Sequence, residues 1–332
     1  MDLYELVSGA PAVAMLGMCK NAGKTTALNR LIRDHAARGG GTLALTSIGR
    51  DGEGRDLVTG TDKPPVWMYE GMLAATAAGL LPRCDISREI LASTGIPTSL
   101  GEVILFRARS DGFVQLAGPA IVSQLGPLRE ITEAWGAEQL LIDGALHRRS
   151  PLAGVTDGVV VLSTGASLDR DMDRVVAETA YTVQLLELPE LSRFSAGEGQ
   201  IPDGSAPAVL FREDGSREEA ERLSELTYGS GRETVALSGA LTETQAAALV
   251  KDGRKKEGLT LLVRDSSCLL LKRESFGRLR AQGLSFAVRR STKLAAVTVD
   301  PVSAGGWHFD PDEFLIKMRA AVSVPVMDVM RE

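Results

Sequence analysis

The sequence predicts an α/β fold with a mostly parallel sheet flanked by helices, followed by a smaller C-terminal α/β region. Short apolar runs alternate along the chain with longer segments of helical periodicity, the pattern of strands joined by crossover helices. The first such run, Ala12–Leu16, ends at a glycine turn from which a helical pattern departs. The composition, 44% hydrophobic and 24% charged over 332 residues, supplies apolar material for a substantial core, and the length suggests two domains.

The elements follow in order. Ala12–Leu16 suits a buried strand, and residues 25–38 carry helical spacing through Leu28, Leu31 and Ile32, stopped by Gly39–Gly41. Residues 42–46 form a second strand, and residues 49–65, rich in Gly, Asp and Pro, a loop. The Ala/Leu-rich stretch 69–81 predicts a helix despite Gly71 and Gly79. Residues 102–108 predict a strand, 121–135 a helix, 139–142 a strand ending at Asp143, 158–162 a strand and 169–188 a long helix. Residues 194–206 are small, polar and turn-forming, and read as a linker. It separates a nucleotide-binding domain at 1–193 from a C-terminal α/β domain at 207–332. The latter has expected strands at 208–211, 234–237, 259–263, 284–288, 294–299 and 324–329. No internal repeat of fixed period is present.

Several function classes recede on composition. A net charge of −6 argues against a general nucleic-acid binder. The cysteines Cys19, Cys84 and Cys268 and the histidines His35, His147 and His308 are scattered, so neither a disulfide framework nor a zinc site is indicated. No apolar run approaches a membrane span, and no signal-peptide pattern opens the sequence. A cytoplasmic location without membrane partners is the expectation.

The specific motif is Gly17-Met18-Cys19-Lys20-Asn21-Ala22-Gly23-Lys24-Thr25, a full match to G-x-x-x-x-G-K-[ST] between a strand and a helix. Small residues at this spacing let backbone N–H groups close around phosphate oxygens, and the helix adds its positive N-terminal end. Gly17, Asn21, Ala22, Gly23, Lys24, Thr25 and Thr26 are therefore the expected contacts of a nucleoside triphosphate. Lys24 would reach the β/γ-phosphates and the Thr25 hydroxyl would ligate Mg²⁺. The expected class is a P-loop NTPase. The absence of an N/T-K-x-D strand end favours ATP over GTP.

Asp143 follows the apolar run Leu140–Ile142, the placement of a Walker B carboxylate that holds Mg²⁺; the plainer alternative is a turn aspartate before Gly144. Ser47, Arg50, Asp51 and Glu53 follow the second strand, where ligands of doubly wound folds bind. Asp51 is a candidate catalytic residue and Glu53 a candidate metal ligand, with a solvated acidic loop as the alternative. Lys20 reads equally as a triphosphate contact or a solvated lysine. Lys63, in Lys63-Pro64-Pro65, partly matches a phosphate-directed lysine. His147–Arg149 suit a solvated basic turn, with a phosphate- or partner-facing turn as the alternative, and residues 164–167 either a ligand border or an ordinary turn. Residues 115–119 are a candidate switch loop. Gly305–His308 suit a packing loop, with a contact loop as the alternative, and Asp265 at a strand end could join a site but does not define one alone.

The run GKTT at 23–26 resembles nucleotide-dependent proteins of the dethiobiotin synthetase and signal-recognition-particle class. In members of that class with a second loop lysine, it stands five residues before the main one; here Cys19 holds that position and Lys20 is one residue off. GMCKNAGKTT (17–26), TSIGRDGE (46–53), LLIDGA (140–145), VVVLSTGAS (159–167), SGALTE (238–243) and AVTVDP (296–301) together resemble the B subunit of the lysine 5,6-aminomutase reactivase, along nearly the whole chain. The resemblance implies a P-loop ATPase acting with a MutS-like ATPase subunit. Together they would restore an adenosylcobalamin-dependent aminomutase by driving release of damaged cobalamin. Lys24, Thr25 and Asp143 carry over; no residue carries over for contact with cobalamin or the aminomutase. Two other functions remain open: an ATP-dependent ligase or kinase of the dethiobiotin synthetase type, and a nucleotide-gated binding protein.

Overall fold

The structure is a computed structural model that describes residues 2–48, 65–146, 157–191, 207–229, 231–251 and 256–331. It divides into two compact units, residues 1–180 with 293–332 and residues 181–292.

The first unit is built on a nine-stranded sheet. Its order is Val326–Met327, Lys293–Asp300, Val159–Gly165, Ala12–Gly17, Gln139–Leu146, Leu43–Ser47, Leu73–Ala77, Gly101–Ala108 and Arg88–Thr98. The first seven run parallel, and Gly101–Ala108 pairs antiparallel with Leu73–Ala77 on one side and Arg88–Thr98 on the other. The parallel strands thus deliver Gly17, Ser47, Gly165 and Asp300 to one edge. Every residue of Ala12–Gly17, Leu43–Ser47 and Val159–Gly165 is buried, as central parallel strands covered on both faces require.

The helix Lys24–Ala37 packs on the first strand through Ala27, Leu28, Leu31, Ile32 and His35, which share one face at helical spacing. Burying Leu28 and Ile32 contributes about 1.5–3 kcal/mol each. The glycines after it end it: Gly39 has φ +65°, and His35 Nε2 lies 2.6 Å from the Gly41 carbonyl oxygen.

The second unit has a five-stranded sheet, Arg217–Ala220, Ala208–Arg212, Glu233–Leu237, Leu259–Val263 and Ser285–Val288. The last three strands are parallel, and Ala208–Arg212 pairs antiparallel with a strand on each side. Its core centres on Phe276 and Phe286, stacked at 4.5 Å between centroids, with Tyr181 beside Phe276 at 5.5 Å.

Three expectations are corrected. Residues 69–81 are not a helix: Gly71 turns the chain at φ +88°, Leu73–Ala77 is a fully buried strand, and Ala78–Arg83 is a 3₁₀ turn. A short run of Ala and Leu broken only by Thr76 has no periodicity to distinguish strand from helix, and sheet partners on both sides decide it. Second, Lys293–Asp300 and Val326–Met327 belong to the first unit's sheet, not to a C-terminal domain. Lys293–Asp300 pairs with Val159–Gly165 over nearly its whole length, so the smaller unit is an insertion between them. Third, the strand expected to end at Asp143 continues to Leu146. The linker at 194–206 lies outside the described residues.

Among the described residues, no helix is long and apolar enough to cross a membrane.

Candidate functional site

The Gly17–Thr25 turn sits at the carboxyl edge of the nine-stranded sheet, between the strand Ala12–Gly17 and the helix Lys24–Ala37. Its glycines have distinct physical reasons. The Lys24 side chain folds back over Gly17, so a methyl group there would lie 2.6 Å from Lys24 Nζ and 2.8 Å from its Cδ. Gly23 caps the helix at φ +85°, which a residue with a Cβ adopts only under strain. Asn21 takes φ +57°, the left-handed region that Asn tolerates better than most residues. Ala22 is buried, which limits its size.

The helix receives no side-chain hydrogen bond at its cap. Its first-turn N–H groups are therefore not answered by the capping residue, and Thr25 and Thr26 stand in that turn, both half-buried. Lys24 Nζ lies 3.5 Å from the Cys19 carbonyl oxygen. Lys20 is exposed.

Asp143 is placed by a bulge. Ala14 pairs with Ile142 and Leu16 with Ala145, so Asp143 and Gly144 together oppose Met15. Gly144 has φ +97°, the backbone such a bulge uses. Gly17 is level with Leu146, so Asp143 lies about 7–10 Å back along the strand direction at roughly 3.3 Å per residue. On its other side Asp143 pairs with Ser47, and the Ile48 N–H donates to the Asp143 carbonyl oxygen at 2.9 Å. Asp143 itself is half-buried.

Ser47 in turn fixes the 115–119 segment. The Gly118 N–H donates to Ser47 Oγ at 3.0 Å, and a Cβ on Gly118 would fall 1.9 Å from the Ser47 carbonyl oxygen. The Ala117 N–H donates to Thr76 Oγ1 at 2.8 Å. This segment is tied across the strand ends beside Asp143.

On the opposite side the turn meets a residue assigned no role from sequence. Asp300, at the end of Lys293–Asp300, lies against Gly23: a methyl on Gly23 would be 3.1 Å from Asp300 Cβ and 3.3 Å from its Oδ2. Its Oδ1 accepts the Val302 N–H at 3.0 Å. Burial raises the Asp300 carboxyl above its ordinary range; the Val302 N–H opposes this and the neighbouring Asp328 charge adds to it. Burial also pushes the Cys19 thiol up to about 11, against the pull of Lys24 and with a contribution from Asp300. Lys24, Cys19 and Asp300 thus share one electrostatic neighbourhood.

The 164–167 turn is knitted to the 301–309 segment. Trp307 Nε1 donates to the Ala166 carbonyl oxygen at 3.0 Å, and the Ala166 N–H to the Asp300 carbonyl oxygen at 2.9 Å. Thr164 Oγ1 and Thr179 Oγ1 share a buried hydrogen bond at 2.8 Å. Gly305–His308 is a packing loop by these contacts. Asp265 belongs to the second unit, where it caps a 3₁₀ turn through the Ser267 N–H at 2.9 Å and pairs with Arg264 at 3.0 Å. Arg50, Asp51, Glu53, Lys63, His147, Arg148 and Arg149 lie outside the described residues. Among the described residues no group of three or more His, Cys, Asp or Glu is arranged to hold a metal ion.

The site therefore brings Gly17–Thr26, Asp143 and Ser47 to adjoining strand ends and adds Asp300. Such an arrangement can present backbone N–H groups and one ammonium to an anion, with a carboxylate at hand on either side. No protein-family model matches the chain, and no significant match was found among curated proteins or solved structures.

Proposed function

We propose that this chain is a P-loop NTPase that binds ATP with Mg²⁺ at Gly17–Thr26 and hydrolyses it. The observation that carries the reading is the full G-x-x-x-x-G-K-T segment between a buried parallel strand and a helix with no side-chain cap. A helix N-terminus with no side-chain cap, its positive end and Lys24 are what a polyphosphate needs. The Thr25 hydroxyl and the Asp143 carboxylate are hard oxygen donors, the type Mg²⁺ prefers. When bound, the ion would neutralise charge on the transferred phosphoryl group. Lys24 would hold phosphate oxygens and the loop amides would orient the chain of phosphates.

The work done by hydrolysis is proposed from the resemblance of GMCKNAGKTT, LLIDGA and VVVLSTGAS to the reactivase B subunit. In this reading the chain acts with a MutS-like subunit to drive damaged cobalamin out of an adenosylcobalamin-dependent aminomutase.

Two measurements test these layers. Calorimetric titration with MgATP should show binding that Lys24→Ala weakens about 100-fold, the loss of charge-assisted hydrogen bonds to phosphate; unchanged affinity in that variant would remove the loop from the site. ATP turnover should rise on addition of the MutS-like subunit and the inactivated aminomutase. Fast turnover on a small carboxylic acid by the chain alone would point instead to the ligase type.

A further inference from the structure

Asp300 is unexpected beside a loop that binds phosphate. It is half-buried, and both burial and the adjacent Asp328 disfavour its charge. Asp328 is itself buried, with Oδ1 accepting the Met330 N–H at 3.0 Å. The charge that acts on Asp300 is Asp328, just past the strand Val326–Met327; beyond it lies Arg331, which pairs with Asp312 at 2.8 Å, and both Lys24 and Asp300 act on Cys19. The structural duty of Asp300 is modest: one oxygen accepts the Val302 N–H, and the side chain fills the space left by Gly23. Asparagine would serve both purposes equally, being the same size and carrying the same acceptor. What asparagine lacks is the negative charge, and Oδ2 carries that charge toward Gly23, the residue whose backbone opens the helix.

We propose that the Asp300 carboxylate is a standing repulsive charge that limits how tightly the Gly17–Thr25 loop holds phosphate, so that ligand exchanges instead of being trapped. The inference rests on the nucleotide reading and adds a regulator to that site. A loop with a helix N-terminus and a lysine and no opposing charge would favour a bound polyphosphate at every stage of a cycle. A fixed anion at its edge weakens all phosphate-bearing states, with an effect that salt screens only partly because the group is half-buried.

Asp300→Asn tests the idea, read by titration with MgATP and separately with inorganic tripolyphosphate. Both ligands should bind roughly tenfold tighter than to the parent chain, the size of a charge repulsion across several ångströms of partly buried site. The ligand-free variant should melt at or above the parent temperature. Asp300→Ser, which keeps an acceptor but removes the charge, should move affinity the same way. A structural lesion does not tighten binding, so the gain separates charge from packing. Unchanged or weaker binding of both ligands overturns the proposal. Weaker ATP with unchanged tripolyphosphate also overturns it, and would make Asp300 a contact of base or ribose. If the parent chain and both variants bind neither ligand, the nucleotide reading falls and this inference with it; if the parent binds and the variants do not differ from it, only the inference falls.

Discussion

In the first unit the Ala12–Gly17 strand runs into a turn bounded by Gly17 and Gly23 and then a helix of 14 residues with no side-chain cap. In the second unit the largely buried strand Leu259–Val263 runs into Asp265, whose carboxylate takes the Ser267 N–H and pairs with Arg264. Both are parallel strands in α/β sheets, and both end where ligands of such folds bind. They differ in who satisfies the amides past the strand. In the second unit a side chain of the protein does so. In the first unit Gly23 has no side chain to offer, and no side chain caps the helix. Fold class alone therefore does not locate the site; the turn chemistry does.

If that division is right, damage can be placed in one unit without reaching the other's chemistry. The largest effect expected is on stability. Phe276→Ala removes a ring stacked on Phe286 and beside Tyr181, and should destabilise the second unit by about 3–5 kcal/mol in chemical denaturation. MgATP affinity, measured where the variant is still folded, should stay that of the parent. A matching loss of affinity would join the two units functionally.

Next comes Gly23→Ala. The methyl faces a left-handed backbone, costing about 1 kcal/mol, and a 3.1 Å approach to Asp300 Cβ. Titration should show MgATP affinity falling by roughly tenfold or more. Gly239→Ala in the second unit, where a methyl meets nothing within 4 Å, should leave affinity alone. Equal effects of the two substitutions would erase the contrast between the turns.

Asp143→Asn separates metal from phosphate. Turnover in Mg²⁺ should drop about tenfold or more, whereas nucleotide binding measured without the metal should be kept. Parent-like turnover would return Asp143 to a turn residue that shapes the Gly144 bulge.

The smallest effect concerns Cys19. Its folded pKa of about 11 lies above the ordinary thiol value of 9.0, so the proton is held more tightly in the folded chain. The associated stability is fully present below pH 9 and is lost as pH rises from there through 11. At pH 8 iodoacetamide should modify Cys19 roughly 100-fold more slowly than a free thiol, since the thiolate is the nucleophile. Rapid labelling at pH 8, located by mass spectrometry, would show that the thiol is not held up as described.

How much of this could be seen in the sequence follows from which interactions are local. The glycine turn, its strand and its helix are contiguous, and their pattern placed Gly17–Thr25 and the helix to within a residue or two. Asp143 was placed on the right strand, but the bulge with Gly144 was not legible because register depends on a partner far away in the chain. In the sequence Asp300 has no site role: it stands after the expected strand 294–299, within AVTVDP. Its role rests on contact with Gly23, 277 residues earlier, and on Lys293–Asp300 returning to the first sheet across an inserted unit. The signal available was the turn Asp300-Pro301 at the end of an apolar run, which resembles many strand ends. Leu73–Ala77 was missed for the same reason: its strand character comes from the neighbours Leu43–Ser47 and Gly101–Ala108 and not from its own spacing.

Amide hydrogen exchange with and without MgATP, resolved by peptide across both units, tests the central claim most directly. The account predicts slowed exchange confined to residues 18–27 and their strand-end neighbours in the first unit, with residues 233–242, 259–270 and 285–291 unchanged. Protection in the second unit's turns with none at 18–27, or no protection anywhere at saturating nucleotide, would contradict it.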